Sequence, residues 1–189
     1  MIVVVNGEWL SLFGHGIGVT SGNLGQHPPV QWHREVWDNW CIPKHSIISS
    51  IIQHAALNTR DKLHRLMICD SNLCIICENG IEAHQHLFTE CQYVKCIVVQ
   101  LEEWLSMSLT GGHQRRTKLQ HRVGRMSQAA VYYTIWMERN SCRLEMKLRT
   151  PDVMVKELKG MIRARLTLLI PRPVGRLDRT WLKHMDLVC

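Results

Sequence analysis

Long apolar runs are missing from this 189-residue chain. Stretches such as Ile2–Val5 and Ile97–Val99 stop after three or four residues, far short of the ~20 that cross a bilayer, so no membrane partner is expected. The N-terminus offers neither a basic n-region nor an apolar h-region, so a secreted protein is not expected. Aromatic residues make up only 6%, and seven of them are Trp against three Tyr and two Phe. At 46% hydrophobic and 21% charged the balance excludes wholesale disorder, and the length suits one medium domain or two small ones.

Eight cysteines are present. With no export signal they read as metal ligands or buried thiols rather than disulfides. Charge is uneven. Residues 1–112 hold 6 Lys and Arg against 10 Asp and Glu, a net −4; residues 113–189 hold 17 against 6, a net +11. A basic half suits a polyanion partner, and equally a solubilising helical surface.

The periodicity predicts a mostly α-helical protein: a small, cysteine-rich helical module followed by a long basic helical hairpin. Residues 1–30, broken by Gly7, Gly14, Gly16, Gly18, Gly22 and Gly25, read as a flexible lead-in. Gly14-His-Gly-Ile-Gly18 lacks the Lys-Ser/Thr of a phosphate loop. In the module, residues 31–110, Trp32, Val36, Trp37 and Trp40 form one stripe. Ile47, Ile48, Ile51 and Ile52 form a second after Pro43, and Leu63 and Leu66 point inward from a short helix capped by Asn58 or Thr59; all read as core. A helix from Tyr93 to Met107 ends before Gly111-Gly112. In residues 113–170, Leu119, Val123, Met126, Ala130, Tyr133, Met137, Leu144 and Leu148 give one long seam, with Arg122, Arg125, Arg139 and Arg143 on other faces. Thr150-Pro151-Asp152 starts a return helix carrying Val155, Leu158, Ile162, Leu166 and Leu169. Residues 171–189 are a Pro-containing tail.

The densest chemistry is Cys74-Ile-Ile-Cys77 followed by Glu82-Ala-His84-Gln-His86-Leu-Phe-Thr-Glu-Cys91. Taking His86, the spacing is C-x2-C-x8-H-x4-C. One turn aims two thiolates at an ion and a second brings an imidazole and a thiolate back, a donor set Zn²⁺ accepts in a tetrahedron. Four protein ligands leave no position for water, so the site is structural. His84 competes for the third position, and Cys69 and Cys96 flank the cluster as substitutes or buried thiols. Glu82 reads either as an acceptor for a ligand imidazole or as a solvated loop residue. A Cys74–Cys77 thiol oxidoreductase lacks the surrounding frame.

These residues, with Ile42-Pro43-Lys44-His45-Ser46, Leu57-Asn58-Thr59-Arg60-Asp61-Lys62-Leu63 and Ala129-Ala130-Val131-Tyr132-Tyr133-Thr134-Ile135-Trp136-Met137-Glu138-Arg139-Asn140, resemble the reverse transcriptase zinc-binding domain. That domain lies C-terminal to the polymerase in plant LINE-type (non-LTR) retrotransposons. The resemblance spans residues 31–170. It implies zinc held by Cys74, Cys77, His86 (the family's His precedes Leu-Phe) and Cys91. It further implies contact with nucleic acid and a nuclear location, with a cytoplasmic one as the alternative. Departures are Ile47-Ile48-Ser49-Ser50 in place of an aromatic pair, and the lack of any polymerase aspartate pair or RNase H carboxylate set. No enzyme activity is therefore expected.

The first functional expectation is a module that binds RNA or single-stranded DNA non-specifically through Lys62, Arg65, Lys95, Arg115, Arg116, Lys118, Arg122 and Arg125. The second is a structural module that docks a partner such as the parent polymerase. A decayed retroelement fragment with no selected role is the third.

Overall fold

The computed structural model describes residues 2–5 and 8–11 as backbone, and residues 39–109, 115–145, 147–171 and 173–187 with side chains except at Glu145. Met1–Val30 and Gln31–Cys189 are separate compact units. In the first, strands β1 (Ile2–Val5) and β2 (Glu8–Ser11) pair antiparallel with Ile2 opposite Ser11 and Val5 opposite Glu8. Part of the expected lead-in is thus a hairpin; the linking Asn6-Gly7 dipeptide is a hairpin signal that the glycine count obscured. The rest of that stretch and the Trp32, Val36 and Trp37 stripe lie outside the described residues.

The second unit is helical with one core. Helix α1 (Pro43–Gln53) starts with Pro43 at its first position, where the missing N–H costs nothing. Its buried face is His45, Ser46, Ser49 and Ser50, while Ile47, Ile48, Ile51 and Ile52 are only half-buried. Ile51 and Ile52 pack against the core as expected, but the fully buried face is the serine one rather than the isoleucine stripe. Serine side chains let α1 close on the long helix α4 (Lys118–Glu145), which buries Ala129 and Ala130. His45 stacks on Tyr133 of α4 at 4.6 Å between ring centroids.

Helix α2 (Arg60–Arg65) follows Thr59 at the N-cap; it buries Leu63, but Leu66 lies 66% exposed, not inward. Helix α3 (Gln92–Leu105) buries Tyr93, Val94, Ile97, Leu101 and Leu105, a stripe at helical spacing, and ends at Ser106 in the left-handed region, φ 50°. Each buried aliphatic side chain contributes about 1.5–3 kcal/mol. Helix α5 (Pro151–Leu169) begins at Thr150-Pro151 as its capping residues predict, and buries Met154, Val155, Leu158, Ile162 and Leu166 against α3 and α4. The tail contains helix α6 (Arg176–His184), with Trp181 Nε1 donating to Leu105 O at 2.6 Å and Leu182 fully buried.

Helix α4 spans 28 residues, about 42 Å. Its seam holds as read through Leu119, Val123, Met126 and Ala130, then moves to Val131, Thr134, Ile135 and Cys142, leaving Met137 and Leu144 exposed. Two ionic contacts cause the shift. Glu138 and Arg139, each 1% exposed, turn inward. Glu138 Oε1 accepts from the Arg149 N–H and Oε2 from its Nε, both at 2.7 Å. Arg139 binds the metal loop, so it is not on an outer face.

Candidate metal centre

Three local devices assemble the cysteines and histidine. In the first, the Cys74 N–H donates to Gly80 O at 2.9 Å and the Glu78 N–H to Cys74 O at 2.8 Å, folding residues 74–80 into a tight knuckle. Gly80 has φ +80°, and a Cβ there would lie 3.0 Å from His86 Cε1 and 3.1 Å from Nδ1. Only glycine meets both demands. The glycine three residues after Cys77 is the sequence signal for this role.

The second device is the π-helical turn His86–Glu90. Five residues along an α-helix rotate a side chain to about 140° from its start. The wider turn, closed by the Cys91 N–H donating to His86 O at 2.7 Å, brings His86 and Cys91 to one side. Leu87 and Phe88 are buried, Phe88 edge-on to Tyr132 at 5.3 Å, which anchors the turn in the core. In the third, Cys91 is the N-cap of α3, where the positive helix end favours a thiolate.

The ligand atoms of Cys74, Cys77, His86 and Cys91 lie within 4.8 Å of one another, and Cys77 Sγ is 3.3 Å from His86 Nε2. A tetrahedral zinc with ligands at about 2.0–2.3 Å requires edges of about 3.5–3.8 Å, so the widest separations close by up to about 1 Å and the Cys77–His86 pair opens by about 0.2 Å. The Cys74 thiol donates to Cys91. That bond, with burial second, raises the Cys74 pKa, and the same bond lowers that of Cys91. Backbone N–H groups of Ile76 and Cys77 face the Cys74 sulfur and that of Val94 the Cys91 sulfur, favouring the ionised forms a metal takes.

His84 stands apart from this cluster: its Nε2 lies 3.2 Å from Leu57 O, and burial lowers its pKa. Cys69 bonds Ser71 O at 3.2 Å and Cys96 lies on α3. Glu82 fits neither expectation. It is fully buried, its Oε1 accepting from Arg139 Nη2 at 2.7 Å, Arg139 Nε at 3.0 Å and the Arg60 N–H at 2.9 Å, and its Oε2 from the Ile75 N–H at 3.3 Å. It therefore ties the knuckle to α2 and α4. Arg139 was missed because an arginine among helical surface residues carries no sign of burial.

Residues 22–97 match the family described as zinc-binding in reverse transcriptase. The segment is similar to that zinc-binding domain, and zinc is the cofactor its Cys74, Cys77, His86 and Cys91 cluster suits. No curated protein and no solved structure matches the chain. The domain's first partners in the core are α4 and α5, beyond the matched residues.

The eight basic residues expected to meet phosphate are spread over several elements. Arg65 is exposed and pairs with Asp61 at 3.3 Å, Lys95 is exposed on α3, and Arg115, Lys118 and Arg122 are exposed at the start of α4, with Arg122 5.7 Å from the Trp40 ring. Arg125 is half-buried. Lys62 bonds Ala55 O, and Arg116 bonds Ser108 O with its guanidinium beside Gly124, so both are engaged within the fold. No described helix is long and apolar enough to cross a membrane.

Proposed function

We propose that this protein is a non-catalytic module that binds single-stranded nucleic acid through backbone phosphates. The observation that carries the reading is the link between the zinc knuckle and α4. Glu82 fixes the knuckle to a helix whose first turns present Lys118 and Arg122 to solvent, with Arg115 exposed just before it. Those cations belong to a half of the chain with a large positive excess, which suits a polyanion. A four-ligand zinc has no open position for chemistry, and the sequence carries no polymerase or nuclease carboxylate set. A LINE-type retroelement origin and a nuclear location belong to the same reading.

The test is fluorescence anisotropy of a labelled 20-nucleotide single strand, RNA and DNA in turn, between about 50 and 300 mM salt. Three neutralised phosphates give a log–log slope of about −2 on single strands. Affinity that stays flat across that range overturns the proposal.

A second reading rests on the loop after α2. Leu66, Met67 and Ile68 are 66%, 91% and 60% exposed in succession, and such an apolar patch suits a protein surface, the parent polymerase first among candidates. It is favoured if the zinc-loaded chain binds that polymerase at high salt and a Met67→Asp substitution abolishes the binding.

A further inference from the structure

Beside the knuckle lies a cavity of about 600 Å³, within the size range of small-molecule sites. Its walls come from three elements joined by Glu82: α2 with Arg60 and Leu63, the knuckle with Leu73, Ile75 and Glu78, and α4 with Arg143. Leu63 is buried and Ile75 half-buried, which places them at the bottom, while Leu73, Glu78 and Arg143 are exposed at the mouth. Arg143 makes no hydrogen bond or ion pair with any described residue. Arg60 spends only Nε, on Ser71 O at 3.0 Å, so its Nη groups remain available.

We infer that this cavity receives one unstacked nucleotide of a single strand, and the inference rests on the nucleic-acid reading above. An apolar bottom takes the faces of a flat base, and guanidinium planes stack on bases as well as bonding phosphate. The charges at the opening sum to one positive, Arg60 and Arg143 against Glu78, because the Arg139 wall is neutralised by Glu82. That excess suits a single phosphodiester. Glu78 adds selectivity: a carboxylate accepts from the exocyclic amino group of cytosine or adenine and repels the O4 carbonyl of uracil or thymine. The cavity therefore prefers an amino-bearing base, and it needs zinc, because Cys74 and its knuckle form one side.

The experiment titrates the full, zinc-loaded chain with 12-nucleotide oligo-C, oligo-U and an abasic strand of equal length, in ribo and deoxyribo forms, at about 50 mM salt. Oligo-C is expected to bind about tenfold tighter than the abasic strand, with oligo-U between. Ribo and deoxyribo arms that agree assign recognition to base and phosphate, and a ribo-only preference would overturn that assignment. Leu73→Asp, at a position already 48% exposed, is expected to erase the advantage over the abasic strand while circular dichroism and zinc content stay unchanged. Glu78→Gln is expected to bring oligo-C and oligo-U together. Equal binding of oligo-C and abasic strand, or a base dependence that survives Leu73→Asp, overturns the cavity assignment and leaves phosphate binding standing. Failure of every strand to bind overturns both.

Discussion

Glu82 Oε1 lies 2.7 Å from Arg139 Nη2, with both side chains sealed from solvent and 57 residues apart in sequence. Arg139 also reaches Asn58 O at 3.3 Å and Asn140 Oδ1 at 3.1 Å, so one guanidinium serves three segments. Replacing either partner alone strands a buried charge. Arg139→Met or Glu82→Leu is expected to destabilise by about 3–5 kcal/mol in urea unfolding. The double substitution should recover only part of that loss, because the Arg60 and Ile75 N–H groups stay without an acceptor, and Arg139→Lys should recover little because the fork is lost.

Metal content separates the two histidines. Plasma-emission analysis of chain purified without chelator should give one zinc for the parent and for His84→Ala, and none for His86→Ala or Cys91→Ser. Structural zinc is worth roughly 10–16 kcal/mol apparent in small peptides, as much as a whole domain's ~5–15 kcal/mol. Chelation should therefore melt residues 74–91 together with the helices they anchor.

Gly80→Ala tests the knuckle. A side chain at φ +80° and 3.0 Å from the His86 ring costs of order 1–3 kcal/mol. Zinc affinity should fall by roughly ten- to a hundredfold in competition with a chromophoric chelator. Gly160→Ala, which meets nothing within 4 Å, should leave it unchanged.

His45 should contribute to pH dependence. Burial first and Lys44 second lower its pKa to about 4 from 6.5. The unfolded chain then binds the proton more readily than the folded one, so this group favours folding fully above pH ~6.5. That contribution falls by up to about 1.4 kcal/mol per unit as pH drops toward 4. Comparing parent with His45→Phe at pH 4.5–7 should show the shallower slope in the variant, with the shared metal contribution cancelling.

Two neighbouring arginines should behave differently. Arg122→Glu is expected to weaken RNA binding and reduce the salt slope by about one, at a stability cost of about 0.5–1 kcal/mol from the lost contact with the Trp40 ring. Arg116→Ala removes the bond to Ser108 O and should cost about 1 kcal/mol of stability.

The Cys74, Cys77, His86 and Cys91 cluster was legible because short spacing alone restricts which side chains can meet; the preference for His86 came from the resemblance, in which the His precedes Leu-Phe, and Leu87 and Phe88 prove to be the turn's anchor. The return helix was legible through Thr150-Pro151. What stayed hidden depends on contacts distant in sequence. The serine face of α1 is chosen by the small residues of α4 rather than by its own hydrophobicity. The inward turn of Arg139 is chosen by a glutamate in another segment. Helix α6 was hidden because residues 171–189 read as a Pro-containing tail, while its anchor is a carbonyl at residue 105.

Helix α3 starts on a zinc ligand and ends under Trp181, and the family match closes at residue 97, in its middle. A peptide excised at that border would end half-way along a rod, deprived of Leu101 and Leu105 and of the arginine that plugs Glu82. The border of the match and the border of the packed core thus fall at different residues, and the shorter stretch would be left holding its ion without a floor to stand on.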